Sequence, residues 1–170
     1  MKLTQLASSL PDSPEVFGEA EIAGLACDSR KVKAGDLYFC LPGLRVDGHS
    51  FAQQVAEKGA AALVVERRLP VDLPQVRVAD ARAAMSYMAQ CFYGYPSRGM
   101  RGVGITGTKG KTTSTYLVKS ILENAGLKVG LVGTIEVIIG ETHIHAENTT
   151  PESYVLQSCF ARMVEEGCDA

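Results

Sequence analysis

Residues 104–113 read Gly-Ile-Thr-Gly-Thr-Lys-Gly-Lys-Thr-Thr, and no other stretch limits the possible folds as much. It follows a β-prone run, residues 101–105, and opens onto a helical pattern over 111–124, with Leu117, Val118, Ile121 and Leu122 at helical spacing. A strand, a glycine turn and a helix start make an anion site. Glycines let backbone N–H groups crowd around phosphate oxygens, and the first helical turn adds unsatisfied donors and the positive end of the helix dipole. Lys111 then reaches the terminal phosphates of a nucleotide, and the Thr112 hydroxyl can ligate the Mg²⁺ that accompanies it. The strict Walker pattern wants a glycine five residues before the Gly of Gly-Lys-Thr. Here Ile105 stands five before Gly110, and the glycines fall at 104, 107 and 110. A glycine-rich turn with a chance Lys-Thr is the competing reading, and the placement of Gly-Lys-Thr at a strand-to-helix junction speaks against it.

The rest of the chain excludes several classes of function. Its 170 residues hold one domain comfortably or two small ones. Lys and Arg (17) are dispersed among Asp and Glu (19), and no basic run interleaves with aromatics, so no nucleic-acid partner is expected. The longest apolar stretches, such as 60–65, are far too short to span a bilayer, so no membrane insertion is expected. Residues 1–6, Met-Lys-Leu-Thr-Gln-Leu, lack the sustained apolar core of a signal peptide, which makes the cytoplasm the expected location. The mixed surface gives no reason to expect more than a monomer. Five cysteines, odd in number and without a C-x-x-C pair, fit reduced thiols, with Cys40 and Cys91 read as buried and inert. His143 and His145 share one face of an expected strand, but two ligands without a third make no metal site.

In chain order, Leu3, Leu6, Ala7 and Leu10 predict a short amphipathic helix ended by Pro11, followed by a polar turn. Strands are expected over 22–27, 37–41, 61–65 and 75–78. A helix with Phe51, Val55 and Ala56 inward ends at Gly59. Asp80 is the expected N-cap of a helix over 81–92 that turns Ala84, Met85, Met88 and Cys91 to the core. Turn formers at 93–99 mark a domain boundary. Beyond the glycine loop, 128–132 reads as a strand and 134–146 as a hairpin around Gly140-Glu141. A last helix should start with Thr150 as N-cap and Pro151 at its first position, and run to about Glu166. A phosphate-loop domain needs further parallel strands, one of them bringing an acidic residue toward Mg²⁺, so the second domain is expected to be incomplete.

With Asp28-Ser29-Arg30, residues 35–39 (Gly-Asp-Leu-Tyr-Phe), the loop 107–113 and 148–151 (Asn-Thr-Thr-Pro) in hand, the whole chain resembles the Mur ligases. Asp-Ser-Arg together with Asn-Thr-Thr-Pro points to the branch that extends the muramoyl dipeptide. The resemblance implies an α/β fold in two parts. Residues 1–97 would be a small UDP-substrate-binding domain, and 98–170 the start of a P-loop, Rossmann-like ATP-binding domain. It implies an ATP-dependent amide ligase of peptidoglycan precursor synthesis, joining meso-diaminopimelate or L-lysine to UDP-N-acetylmuramoyl-L-alanyl-D-glutamate through an acyl phosphate. Carried over by position, Gly107, Thr108, Lys109, Gly110, Lys111, Thr112 and Thr113 would hold ATP, with Thr112 also on Mg²⁺. Ser29 would contact the UDP moiety, Leu44, Arg45 and Val46 would border the uridine, and Asn148, Thr149 and Thr150 would bind the UDP-muramoyl dipeptide. The family's carbamylated lysine, its further Mg²⁺ ligands and the domain that reads the incoming amino acid have no counterparts here. The chain by itself is therefore expected to be inactive. Two other readings stay open: a binding module without chemistry, and another ligase of the superfamily, one taking the muramoyl tripeptide or a folylpolyglutamate synthetase.

Overall fold

The runs Asp36–Phe39 (β3) and Ala62–Val65 (β4) are buried at every position, as expected of central strands covered on both faces. They lie side by side in a five-stranded sheet of the computed structural model, which describes residues 1–43, 46–146 and 148–170. The sheet also contains Glu15–Phe17 (β1), Gly24–Ala26 (β2) and Gln75–Arg77 (β5), in the order β1-β5-β4-β3-β2. Strands β2 to β5 run parallel and β1 is antiparallel to β5. The chain divides into two units, Met1–Phe92 and Tyr93–Ala170.

Alternation along β3 and β4 sends Tyr38, Cys40, Leu63 and Val65 to one side of the first sheet. There they pack with Val55 of the helix Ala52–Glu57 (α2) and with Ala26, Val32 and Ala60. Side chains of opposite parity face the other side, where Ala81–Phe92 (α3) packs on β3 and β4 and also meets the short helix Leu3–Ala7 (α1). Asp80 caps α3 as its position predicts, its Oδ1 accepting from the N–H groups of Arg82 at 2.8 Å and Ala83 at 2.9 Å. Ala84, Met85 and Met88 are buried, whereas Cys91 is only half-buried. Among the described residues the cysteines form no disulfide. Strand β1 falls where the sequence reads as a polar turn. Three residues between Pro14 and Gly18 give no visible alternation, and β1 is held as an edge by pairing with β5 and by the ion pair Glu15–Arg77.

The second unit contains an antiparallel sheet of Leu131–Val132 (β6), Glu136–Ile139 (β7) and Thr142–His145 (β8). Strands β7 and β8 form the expected hairpin around Gly140-Glu141. The helix Lys111–Asn124 (α4) has the predicted bounds, and Ser153–Glu165 (α5) packs on β7 through Met163 beside Ile139 and Cys168. Two expectations need correcting. Helix α5 starts at Ser153 with Glu152 as its N-cap residue, so Thr150 and Pro151 lie ahead of it and Thr150 is not the cap. The run 101–105 is not a strand, because a parallel strand exists only by its neighbours. Among the described residues it has a ladder-like bond from Arg101 N–H to Asp169 O at 2.9 Å. Residues 128–130 border 169–170 in turn: Asp169 N–H donates to Lys128 O at 2.7 Å and Gly130 N–H to Ala170 O at 2.8 Å. A groove of about 90 Å³ lies between these segments and α4, lined by Val103, Ile105, Val118, Leu122, Val129 and Leu131.

Candidate functional site

Each unit carries a loop that the sequence marks as a candidate ligand site. In the second unit, residues 106–110 are exposed and lead into α4 through Gly110, at φ +78°. That left-handed backbone is open to glycine at little cost and turns the chain sharply into the helix. Among the described residues no side chain caps α4, and its first turn carries no acidic residue, which suits the donors of a helix start to an anion. Lys111 Nζ donates to Gly107 O at 2.7 Å, folding the ammonium back over the loop. Of the expected residues, 107–110 thus form the loop, and Lys111, Thr112 and Thr113 open α4. The Thr112 carbonyl accepts from Thr115 Oγ1 at 2.8 Å. No group of three His, Cys, Asp or Glu able to hold a metal ion occurs among the described residues.

Behind α4, Tyr116 donates to Glu136 Oε1 at 2.5 Å, and Glu136 Oε2 meets His143 Nδ1 at 2.6 Å. These bonds, Tyr116 first, hold the Glu136 carboxyl below its usual range and push the Tyr116 phenol up. The cluster ties α4 to the hairpin, and it assigns His143 a carboxylate partner.

The first unit holds its loops at the carboxyl ends of parallel strands β2 and β3, the edge at which α/β sheets place ligands. A cavity of about 510 Å³ opens there, lined by Ser29, Arg30, Tyr38, Val46, Phe51 and Gln54 among others. The turn after β2 is built by Asp28. Its carboxylate accepts from Arg30 N at 2.9 Å, Arg30 Nε at 2.9 Å and Arg30 Nη2 at 2.8 Å, which draws its pKa down to about 2. Ser29 is buried, and its carbonyl accepts from Lys58 Nζ at 2.7 Å. Burial pushes the Tyr38 phenol up, and its ring forms part of the cavity wall.

Strand β3 leaves through residues 40–43 and the chain returns at Val46. Pro42 and Asp47 form an antiparallel bridge, and Gly48 N–H donates to Leu41 O at 2.9 Å. Asp47 Oδ1 accepts from His49 N at 3.0 Å and lies 2.6 Å from His49 Nδ1, while Oδ2 accepts from Arg67 Nη2 at 2.6 Å. The Arg67 bond first, then those from His49, hold the Asp47 carboxyl far below its usual range. His49 is buried, and its Nε2 accepts the Glu66 N–H at 3.0 Å.

The structure therefore brings Ser29 and Val46 to one cavity. Leu44 and Arg45, expected beside them, lie outside the described residues. Asn148, Thr149 and Thr150 are exposed in the loop before α5. Sequence reasoning missed Lys58, Phe51, Gln54 and the Asp47–His49–Arg67 group. Asp47-Gly48-His49 does carry a local signal, an Asp at the cap of the 3-10 turn Gly48–Phe51, but the lysine and the arginine arrive from other elements and leave no local trace.

The family model for the Mur ligase family catalytic domain matches residues 21–93, and that for the Mur ligase middle domain matches 105–170. Over 170 aligned residues, 99% of the chain, the sequence is 46% identical to the UDP-N-acetylmuramoyl-L-alanyl-D-glutamate--2,6-diaminopimelate ligase of Geobacillus kaustophilus. Over 174, covering all of the chain, it is 49% identical to the protein of that name from Geobacter sulfurreducens. The chain spans 35% and 34% of the lengths of these curated relatives. A solved structure bearing the same enzyme name matches 87% of this chain and 30% of its own at a TM-score of 0.70 and 24% identity, a likeness of fold.

Proposed function

Because the chain belongs to the Mur ligase family, we propose that it forms the substrate-nucleotide and ATP-phosphate portions of a ligase that joins a diamino acid to UDP-N-acetylmuramoyl-L-alanyl-D-glutamate. The observation that carries this reading is the 46% identity maintained over 99% of the chain with a relative named for that reaction. Diaminopimelate is the diamino acid in that name, and L-lysine is the alternative. On this reading residues 1–97 serve the UDP moiety and 98–170 begin the ATP domain. The protein works in the cytoplasm as a monomer.

The chemistry asks for positioning and charge neutralisation more than for a covalent nucleophile. The γ-phosphoryl group passes from ATP to the D-glutamyl carboxylate, breaking its bond to ADP and making an acyl phosphate. The amine then attacks the acyl carbon and phosphate leaves. In this chain, Gly107 to Thr113 present backbone N–H donors to the ATP phosphates. Lys111 exchanges its bond to Gly107 O for the β- and γ-oxygens, a move of a flexible ammonium. Mg²⁺ would add charge neutralisation at the phosphates. Thr112 would hold it through its hydroxyl. Ser29 and Val46 border the uridine diphosphate in the cavity at β2 and β3, and Asn148, Thr149 and Thr150 reach the muramoyl dipeptide from the exposed loop.

Calorimetric titration of the chain tests both halves. UDP should bind and be weakened by Ser29→Ala, while a non-hydrolysable ATP analogue should bind and be weakened roughly tenfold or more by Lys111→Ala, the loss of a charge-assisted contact. The isolated chain should make no amide product from ATP, the muramoyl dipeptide and a diamino acid. Loss of neither affinity in the two variants would refute the assignment of the sites.

A further inference from the structure

We propose that Asp47 and His49 are positioning residues of the nucleotide cavity. They form a clamp that fixes where Val46 stands, and so set the affinity for the uridine end of the substrate. The inference rests on the cavity being the UDP site. It identifies residues that touch the loop and not the ligand.

The geometry fixes the chemistry of the clamp. The Glu66 N–H donates to His49 Nε2, so that nitrogen carries a lone pair and the ring proton sits on Nδ1, where it is given to Asp47 Oδ1 at 2.6 Å. A buried imidazole thus bridges the first residue after the loop's return to the backbone at the end of β4, using both its nitrogens. Glu66 is itself a junction, since its Oε1 accepts from Ala81 N–H at the start of α3 at 2.9 Å. Arg67, the next residue, closes the other side of the Asp47 carboxylate. Val46 is also held close to its neighbours beside the clamp. A Cβ on Gly43 would stand 2.5 Å from Val46 O, and the Pro42–Asp47 bridge joins the two ends of the turn. Val46 is 55% exposed and lines the cavity with Phe51 and Ser29. An exposed valine at a cavity mouth holds a ligand's face only if its backbone is held from behind, which is where Asp47 and His49 act.

The test is titration of UDP into the chain and its variants, with an ATP analogue as the second ligand and hydrogen exchange at Glu66 N–H as a structural readout. His49→Phe fills the buried volume without either hydrogen bond and should weaken UDP roughly tenfold or more, leaving the ATP analogue within twofold. Asp47→Ala should do the same, and Asp47→Asn, which keeps an acceptor for His49, should recover part of the loss. His49→Gln keeps an acceptor for Glu66 N–H and should retain its protection, while His49→Asn should lose it. Should His49→Phe fail to fold, Asp47→Asn and the exposed Arg67→Gln carry the test, each expected to weaken UDP several-fold. UDP binding within twofold of the unaltered chain in the folded variants, while Ser29→Ala weakens it, overturns the clamp and leaves the site standing. Absence of UDP binding by the unaltered chain overturns both.

Discussion

Replacing Gly48 with alanine should destabilise the first unit by an amount that the backbone geometry sets. A Cβ there would lie 2.7 Å from both Leu41 N and Leu41 O, and 3.2 Å from Cys40 C. All three are main-chain atoms leaving buried strand β3, so no flexible side chain can swing away. Ordinary contact begins near 3.4 Å, leaving 3.4 − 2.7 = 0.7 Å to be absorbed by backbone movement. Overpacking of this kind costs about 1–3 kcal/mol. Separating the chains also stretches the Gly48 N–H to Leu41 O bond, worth about 1 kcal/mol. The sum is about 2–4 kcal/mol. For a unit of this size each kcal/mol lowers Tm by about 4–8 °C, so the transition of the first unit should fall by at least about 8 °C. Scanning calorimetry of Gly48→Ala against Gly102→Ala, whose Cβ meets nothing within 4 Å, measures the difference. The second unit's transition should not move. A Gly48→Ala protein whose first transition stays within about 2 °C of the unaltered one would refute the argument, since that close approach would then be relieved at no cost.

Four further outcomes are expected. Asp28 titrates at about 2 when folded against an ordinary 3.8, so its stabilisation is complete above about pH 4 and is lost as pH falls toward 2. In urea unfolding, the advantage of the unaltered chain over Asp28→Asn should shrink between pH 6 and pH 3. Cys40, buried with its thiol pushed up to about 12, should resist iodoacetamide in the native chain at pH 8 and react once unfolded, as mass spectrometry of the labelled peptide will show. Asp80→Ala removes two N-cap bonds of α3 and should cost about 1 kcal/mol in denaturant unfolding of the first unit. In a protein extended beyond Ala170 to the length of the relatives, a strand continuing from Asp169 would enter the groove beside Val103 and Leu131. The amides of 103–105 should then gain hydrogen-exchange protection, and fast exchange there in the extended protein would contradict that placement.

What could be read from the sequence divides along one physical line, the range over which the determining contacts act. Helix α4 is legible to the residue because glycine before it and apolar spacing within it are local properties, and Asp80 before α3 works the same way. Strands β3 and β4 are legible because burial on both faces leaves continuous apolar runs. Strand β1 is invisible because nothing within Glu15-Val16-Phe17 distinguishes it from a turn; its partner is sixty residues away, with Glu15 opposite Arg77. The run 101–105 fails in the opposite sense: its composition suits a strand, but among the described residues it pairs into no sheet.

The two candidate sites repeat this division. The phosphate loop is one short stretch whose donors are its own backbone, so its chemistry is written consecutively from Gly107 to Thr113, and Lys111 needs only to turn from Gly107 O toward a ligand. The cavity of the first unit is assembled instead from the ends of β2 and β3, from α2 and from the segment after β4, and the residues that hold it in shape lie far apart in the chain. Lys58 supports Ser29 across 29 residues, Arg67 reaches Asp47 across 20, and Glu66 meets His49 across 17. Each of these three residues, seen alone, is an ordinary charged residue at a helix or strand end. Only the parallel register of β2, β3 and β4 brings them to one edge, so the cavity takes shape only once this sheet has folded. The phosphate loop, by contrast, keeps its donors wherever α4 is formed.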